Sequence, residues 1–301
     1  MKILITGGAG FIGSHIVEHY QEIANEVCVY DYLPASQAAN LTGLRHTYIE
    51  ACITDADALK EALKGVDYVY HMAAFISVPD SFNDKHACIT TNVNGTINVL
   101  DAARDNKCKR IVIASSAAVY GDLDEPKMIE SLKPAPISPY AITKLDCEFY
   151  ADLYSTRYSM SVVSARFFNV YGPRQSCDSA YASVIPAFIK LKGEGLPFTI
   201  NGDGSQTRDF VYVKDLVAAL DCLMHNKDST GVYNVASGFS VTLNDLTEAI
   251  TSGATVNYAP ERHGDIKHSV ADVTKLINTG WSPSHSLHEG LRHTCDYYGT
   301  A

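Results

Sequence analysis

The chain has 301 residues, 46% of them hydrophobic, and a formal net charge of −10. This is enough apolar material for one large domain or two lobes, and the negative charge argues against a nucleic-acid or anionic-membrane surface. No apolar run in the sequence reaches the length of a membrane span, so we expect neither a nucleic-acid nor a membrane partner.

The sequence begins with a strand that enters a glycine turn, and it shows none of the basic and apolar regions of a secretory signal. Its eight cysteines are scattered, without C-x-x-C pairs or the spacing of metal ligands. We therefore expect mostly buried thiols in a reducing cytoplasm, and no metal site.

The first forty residues contain the most specific local pattern. An apolar strand, Lys2–Thr6, leads into G-G-A-G-F-I-G and then into a helical pattern. Glycines allow a tight turn close to a pyrophosphate, which the N–H groups of the following helix can bind. The predicted cofactor contacts in this turn are Gly7, Gly10, Phe11, Ile12 and Gly13.

A second strand, residues 26–30, is followed by Asp31, about twenty residues after the turn. A carboxylate at this place accepts hydrogen bonds from the adenosine ribose and repels a 2′-phosphate, which favours NAD over NADP. A glycine turn alone has an ordinary structural explanation. A strand, a turn, a helix and a trailing Asp in register favour dinucleotide binding instead.

Strands and helices continue to alternate along the first half of the chain. Further strands are predicted at 47–50, 68–71, 110–114 and 161–166, and helices at 55–63, 91–103 and 139–154. This alternation predicts an α/β fold, a doubly wound parallel sheet with helices on both faces. Ligands bind at the carboxyl ends of such strands, where we expect Ala73, Ala74, Ser115 and Ser116. The two alanines could equally serve helix–sheet packing.

Residues 138–144, S-P-Y-A-I-T-K, begin the last of these helices, since Ser138 can cap it and Pro139 fits its first turn. Tyr140 and Lys144 are four residues apart and share one helix face. There the ammonium favours the phenolate form of a side chain that is otherwise a poor base. An isolated pair at this spacing is usually a surface feature. Together with the Ser116 hydroxyl it becomes a candidate acid–base site.

After about residue 167 the alternation becomes irregular. We predict that residues 1–174 and about 209–236 form the cofactor domain, with 209–223 and 232–235 returning to the main sheet. About 175–208 and 237–301 would form a smaller lobe that closes over the substrate.

The chain resembles the extended short-chain dehydrogenase/reductases, and within them the UDP-hexose 4-epimerases, most closely those that act on UDP-N-acetylglucosamine. The matching motifs are T-G-G-A-G-F-I-G-S-H, N-V-N-G-T, S-S-A-A-V-Y-G, Y-A-I-T-K, R-F-F-N-V-Y-G-P-R, G-D-G-S-Q-T-R-D-F-V-Y-V-K-D and R-H-G-D. The resemblance implies a Rossmann domain with bound NAD. It also implies Tyr140 as the base, Ser116 as its proton partner and Lys144 as the residue that binds the cofactor.

The resemblance further implies that Asn169, Arg208, Arg262 and Asp265 bind the substrate, a UDP-sugar. Guanidinium groups suit its diphosphate, although each of these residues alone is more often a surface or turn residue. Other predicted contacts are Ile53, Ala73, Ala74, Asn92, Ser115 and Phe168 for the cofactor, and Ser77, Ser116 and Ser269 for the substrate.

Several positions depart from the family pattern, and others indicate which reaction of the family is expected. Cys52 stands where an Asp usually binds the adenine, and His263 replaces a proline, so we expect a weakened adenine contact and a looser turn with Arg262 retained. Ala117 and Ala118 occupy the places of the Asp and Glu that related 4,6-dehydratases use, and decarboxylases also carry that Glu. An epimerase needs neither, because hydride leaves sugar C4 to NAD and returns to the opposite face.

Ser269 aligns with a position that is a bulky Tyr in epimerases restricted to glucose and galactose. A small side chain leaves room for a C2 acetamido group, so we expect UDP-GlcNAc/UDP-GalNAc as substrates, with UDP-Glc/UDP-Gal as further ones. Alternatively, Ser269 is a strand residue without influence on selectivity.

Other functions stay open. They are a UDP-glucuronate 4-epimerase, a nucleotide-sugar dehydrogenase or reductase with net redox turnover, and a non-catalytic NAD-binding sensor. A sensor would typically lose the Tyr or the Lys, and both are present here. Apolar faces of the helices at 91–105 and 139–154 fit a homodimer formed through a four-helix bundle, as in the family.

Overall fold

The computed structural model describes residues 1–177, 183–261 and 267–300. The strands are β1 Lys2–Thr6, β2 Glu26–Asp31, β3 Thr47–Glu50, β4 Tyr68–His71, β5 Arg110–Ser116, β6 Val162–Phe167, β7 Asn169–Tyr171, β8 Phe198–Asn201, β9 Thr207–Tyr212, β10 Gly231–Val235, β11 Ser240–Thr242, β12 Val256–Ala259 and β13 His268–Ser269. The helices are α1 Phe11–Tyr20, α2 Ala56–Ala62, α3 Val78–Asn83, α4 Lys85–Ile89, α5 Gly95–Asp105, α6 Pro139–Tyr158, α7 Val184–Glu194, α8 Val213–His225, α9 Leu243–Ile250, α10 Thr274–Ile277 and α11 Leu287–Tyr297. None of these helices combines the length and the apolar character of a membrane span.

The main sheet of the described chain has seven parallel strands in the order β10-β6-β5-β4-β1-β2-β3. β1 lies between β2 and β4, so that Ile5 pairs with Val29 on one side and with Tyr70 on the other. The chain fills the sheet outward from β1 in both directions. The carboxyl ends of β1 and β4 therefore border the crevice in which doubly wound sheets bind their ligands.

Helices cover both faces of this sheet because its strands are apolar on both sides. Ile3 and Ile5 point to one face, where they share a core with Ile16 of α1 and Leu220 of α8. Leu4, between them, belongs to the core on the other face, under α2, α5 and α6. Each fully buried aliphatic side chain of this kind contributes about 1.5–3 kcal/mol. The predicted doubly wound α/β fold is thus confirmed.

Smaller sheets lie beyond the main one. β9 pairs with β7, β11 and β13 in a four-stranded sheet, and β12 pairs with β8. Phe188, Ile200 and Phe210 form part of the core that holds these strands against α7 and α9. This region places a second set of side chains next to the carboxyl edge of the main sheet.

The prediction that residues 209–223 return to the main sheet is wrong for the strand and right for the helix. β9 belongs to the four-stranded sheet, whereas Leu216 and Leu220 of α8 pack against the main sheet. Leu276 and Trp281, which we predicted in the smaller lobe, also pack in that core. An apolar strand followed by an amphipathic helix looks the same in sequence whichever sheet takes the strand. The division into two domains stays a prediction.

Candidate active site

The glycine turn between β1 and α1 closely approaches the segment after β4. Gly7 has φ +67°, and a methyl group added to it would lie 2.7 Å from the backbone nitrogen of Ala73. A methyl group on Gly13 would overlap the carbonyl oxygen of Gly7, so both positions require glycine. The helix α1, which lies wholly within the described residues, has neither a side-chain cap nor an acidic residue in its first turn. Its first N–H groups are therefore suited to a pyrophosphate.

Asp31 lies at the end of β2 beside this turn. One carboxylate oxygen accepts from the N–H of Ala9 at 3.0 Å, and the other accepts from the N–H of Leu33 at 3.1 Å. A carboxylate has about four lone-pair sites, so both oxygens keep capacity for ribose hydroxyls. The turn, the open helix start and this carboxylate together fit a dinucleotide.

The segment around Ile53 lies at the end of β3, next along the sheet. Ile53 is buried, its side chain packs against Gly95, and its carbonyl accepts from Asn98 at 3.1 Å. Cys52 is exposed, and its sulfur accepts from the Thr54 hydroxyl at 3.1 Å. The departure from the family pattern is therefore on the surface, directly beside a well-anchored residue.

Asn92 lies in a π-helical turn, Thr90–Asn94, between α4 and α5. Its amide accepts from the N–H of Phe75 at 2.7 Å and donates to the carbonyl of Phe75 at 3.2 Å and to the Thr143 hydroxyl at 2.9 Å. These bonds hold the segment that contains Ala73 and Ala74 against α6. A direct contact between the Asn92 amide and a cofactor stays a prediction.

Ser116 ends β5, and Tyr140 and Lys144 lie at the start of α6, which Lys144 joins to this strand end. The Ser116 oxygen accepts from the N–H of Ala118 at 3.2 Å, which leaves its own proton available. Lys144 is 5% exposed and donates to the carbonyl of Ala114 at 2.8 Å. Its nitrogen is 5.8 Å from the centre of the Tyr140 ring. Lys144 thus links the helix that bears Tyr140 to the end of the strand that bears Ser116.

A buried ion pair that the sequence reasoning missed supports this junction. Glu148, one further turn along α6 from Lys144, binds Arg166 through two hydrogen bonds of 2.8 and 2.7 Å. It also accepts from the Ser115 hydroxyl at 2.5 Å. Because neighbouring residues of a strand point to opposite faces, the Ser115 side chain points away from that of Ser116. Burial alone would lower the pKa of Arg166, but its hydrogen bonds to Glu148 and the charge of that carboxylate raise it above the ordinary value. The spacing of four residues after Lys144 was the signal available in the sequence.

A cavity of about 650 Å³ opens beside Ser116. The predicted site residues along its wall are Ser116, Phe168, Asn169, Arg208 and Ser269. Asn169 and Arg208 also line a second cavity, of about 290 Å³, whose wall includes Phe188 and Ile200. Two neighbouring spaces that share Asn169 and Arg208, the larger with a mostly apolar wall and the smaller with a more polar one, suit a ligand with two different ends.

The remaining predicted residues have structural partners. Asn169 donates to the carbonyl of Asp209 at 2.9 Å, and Arg208 donates to that of Thr207 at 2.9 Å. Ser77 caps α3 by accepting from Asp80 at 3.1 Å. Arg262 and Asp265 lie outside the described residues. In the described ranges, no three His, Cys, Asp or Glu side chains lie together as a metal-ligand set.

Comparison with known proteins gives one consistent result. Residues 3–236 match the model of the NAD dependent epimerase/dehydratase family. A UDP-N-acetylglucosamine 4-epimerase from Methanobrevibacter ruminantium M1, solved with UDP-N-acetylmuramic acid, is 39% identical, with 99% of this chain and 98% of that chain aligned and a TM-score of 0.94. A UDP-glucose 4-epimerase from Thermus thermophilus, solved with NAD, is 35% identical over 100% of both chains, with a TM-score of 0.90.

A third similar structure widens the range of sugars among these proteins. It is a UDP-glucuronic acid 4-epimerase from Bacillus cereus, solved with UDP-glucuronic acid and NAD, 32% identical over 99% of both chains, with a TM-score of 0.90. The family match extends across the glycine turn, Ser116, Tyr140 and Lys144. The chain belongs to the NAD-dependent epimerase/dehydratase family.

Proposed function

We propose that the protein is an NAD-dependent UDP-sugar 4-epimerase that inverts C4 through a 4-keto sugar. The observation that carries this proposal is that Lys144, next to the Tyr140 ring, is bonded to the end of the strand that bears Ser116, and that Ser116 borders a cavity. Similar solved structures are 4-epimerases of several UDP-sugars, which supports the reaction class and leaves the sugar to be argued from the cavity.

NAD is the cofactor, and the chain offers a place for each of its parts. The glycine turn and the start of α1 would hold the pyrophosphate, Asp31 the adenosine ribose, and Lys144 the nicotinamide ribose. When bound, the nicotinamide would supply a reversible hydride acceptor for sugar C4, which inversion through a ketone requires.

The chain's own residues move the proton. Tyr140 accepts the proton of the 4-hydroxyl as the ketone forms and gives it back when the ring has turned over. Ser116 shares this proton through its available hydroxyl, and Lys144 lies close to the Tyr140 ring. Ala117 and Ala118 border the same cavity and offer no acid or base for elimination.

The two cavities suggest how a UDP-sugar lies. Arg208 and Asn169 line both cavities, which suits a diphosphate between a sugar near Ser116 and a uracil near Phe188. Among the described residues that line the larger cavity, Arg208 is the sole Lys or Arg.

The direct test is to incubate the purified protein with UDP-GlcNAc without added NAD. Formation of UDP-GalNAc at a steady rate supports an epimerase that keeps its cofactor between turnovers. Stoichiometric consumption of added NAD or NADH would indicate a dehydrogenase or reductase instead. Failure to convert any UDP-sugar in a panel of plain, acetylated and uronic forms would indicate a sensor.

Ser269→Tyr tests the choice of sugar. Ser269 lies on β13, beside Arg208 of β9, and borders the same cavity as Ser116. A tyrosine there would fill the space for an acetamido group, so we expect kcat/KM for UDP-GlcNAc to fall about tenfold to a hundredfold while that for UDP-Glc changes little. Ser269→Ala, which keeps the space, is the control. Equal turnover of acetylated sugars by the Tyr variant would refute the role of Ser269.

We also propose a homodimer formed through α5 and α6. Ile142, Phe149 and Leu153 are 49%, 62% and 47% exposed and lie on the face of α6 opposite Tyr140 and Lys144. Their spacing makes one apolar stripe, which a second copy could cover in a four-helix bundle.

Phe149→Glu is expected to shift the protein to monomers, because it places a charge in the middle of this stripe. Light scattering at micromolar concentration would show at least about tenfold weaker association. Phe239→Glu, at a side chain that is 72% exposed elsewhere, serves as the control. A Phe149→Glu protein that associates as the unaltered protein does would rule out this face.

A further inference from the structure

A chain of buried polar side chains runs beneath the proposed site from β1 to α6. It begins at Thr6 and His71, the last residues of β1 and β4, which pair with each other at the ligand crevice. It continues through Thr96 of α5 to Cys147 of α6. All four residues are buried. The chain therefore joins the strand ends at the crevice to the helix that bears Tyr140.

The hydrogen bonds at His71 have one self-consistent direction. The N–H of Ala73 donates to the Thr6 oxygen at 3.2 Å, and Thr6 completes its bonding by donating its own proton to Nδ1 of His71, 2.7 Å away. Nδ1 then accepts, so Nε2 carries the ring proton and donates to the Thr96 oxygen at 2.9 Å. One donor and one acceptor on a neutral imidazole satisfy both neighbours.

The surroundings keep this imidazole neutral. Burial lowers the pKa of His71 to about 3, and the positive charge of Lys144 acts in the same direction. A protonated ring would turn Nδ1 into a donor, and the Thr6 hydroxyl proton would lose the acceptor that it has on the neutral ring. The hydrogen bonds of His71 therefore favour the neutral ring, as its burial does.

At its far end the chain meets the bonds of the π-helical turn. Thr96 can donate to the sulfur of Cys147 at 3.4 Å, and the thiol donates to the carbonyl of Asn92 at 3.2 Å. The amide of Asn92 in turn holds both backbone groups of Phe75. The segment after β4 is thus tied to α6 twice, once through His71 and once through Asn92.

We propose that His71 is a positioning residue: its two hydrogen bonds hold the glycine turn and residues 72–74, where NAD would lie, in register with the helix that bears Tyr140 and Lys144. The close approach of Gly7 to Ala73 means that any shift of this segment also moves the turn. The catalytic consequence rests on the proposed function, whereas the effect on NAD retention does not.

The test uses two matched pairs of variants of the NAD-loaded protein. His71→Phe and Thr96→Val remove the hydrogen bonds with little change in volume, and His71→Gln and Thr96→Ser keep a donor and an acceptor. For the first two we expect NAD to be released about tenfold faster during gel filtration and kcat to fall about tenfold with KM unchanged. The second two should stay within about threefold of the unaltered protein in both measures.

Other results would overturn the proposal. If His71→Phe and Thr96→Val lower the melting temperature but leave NAD release and kcat unchanged, His71 only stabilises the core. Should His71→Phe fail to fold, the comparison of Thr96→Val with Thr96→Ser decides in the same way. If the unaltered protein converts no UDP-sugar, the proposed function fails. The comparison of NAD release among the variants still tests the positioning role of His71.

Discussion

Tyr140→Phe is expected to lower kcat for epimerisation by about 10²- to 10⁴-fold, because it removes the group that exchanges a proton with the 4-hydroxyl. Phenylalanine keeps the ring near Lys144 and the backbone N–H that donates to Ser81. The fold, the melting temperature and the amount of retained NAD should therefore stay the same. Initial rates with UDP-GlcNAc and with UDP-Glc, at saturating substrate, give the measurement.

Tyr150→Phe is the matched control for this variant. Tyr150 lies on the same helix, and its substitution also removes a phenolic hydroxyl. Its side chain, however, packs against the core on one face of the main sheet. Its rate should stay within about twofold of the unaltered protein. A Tyr140→Phe protein that keeps more than about a tenth of the original kcat would show that another group serves as the base.

The features that sequence predicted well are those encoded over short stretches. The strands from β1 to β6 and the helices α1, α2, α5 and α6 follow apolar runs and helical periodicity within about four residues, whereas the short helices α3 and α4 were not predicted. The glycine turn, and the pair Tyr140 and Lys144 on one helix face, are equally local. Their positions in the structure follow from the topology of a doubly wound sheet, which brings strand ends to one edge.

The features that sequence did not predict depend on contacts between distant segments. His71 binds Thr6, and Glu148 binds Ser115 and Arg166, but no period or spacing in the chain connects these residues. The strand β9 is an example on a larger scale, since its local pattern is compatible with either sheet. Packing between elements determines these partners and the sheet that a strand joins. No single segment of the sequence encodes that packing.

A motif also predicts where a residue lies in the fold more reliably than it predicts which atoms its side chain binds. Asn92 and Ser115 were predicted as cofactor contacts, and both stand near the crevice. In the structure, however, the Asn92 amide binds Phe75 and Thr143, and the Ser115 hydroxyl binds Glu148. Their contribution to the site is at least to hold its segments in place, and direct cofactor contacts stay predictions.

Glu148→Ala is expected to destabilise the protein by about 3–5 kcal/mol, because it leaves the Arg166 guanidinium buried without its partner. For a chain of 301 residues this corresponds to a melting temperature about 5–8 °C lower. The control is Glu61→Ala, which removes a surface pair with Lys64 in which Glu61 is 73% exposed. That change should cost no more than about 1 kcal/mol.

The double variant Glu148→Ala/Arg166→Met separates a lost attraction from an uncompensated charge. If the damage comes from burying Arg166 alone, removing that charge as well should restore much of the melting temperature lost in Glu148→Ala. If the two changes instead add, the pair contributes net attraction and packing, including the contact of the guanidinium with the Tyr120 ring at 4.6 Å. Because Glu148 also accepts from the Ser115 hydroxyl, the double variant should still show a lowered kcat, since the strand end that carries Ser116 keeps its bond to Lys144 but loses its bond to Glu148.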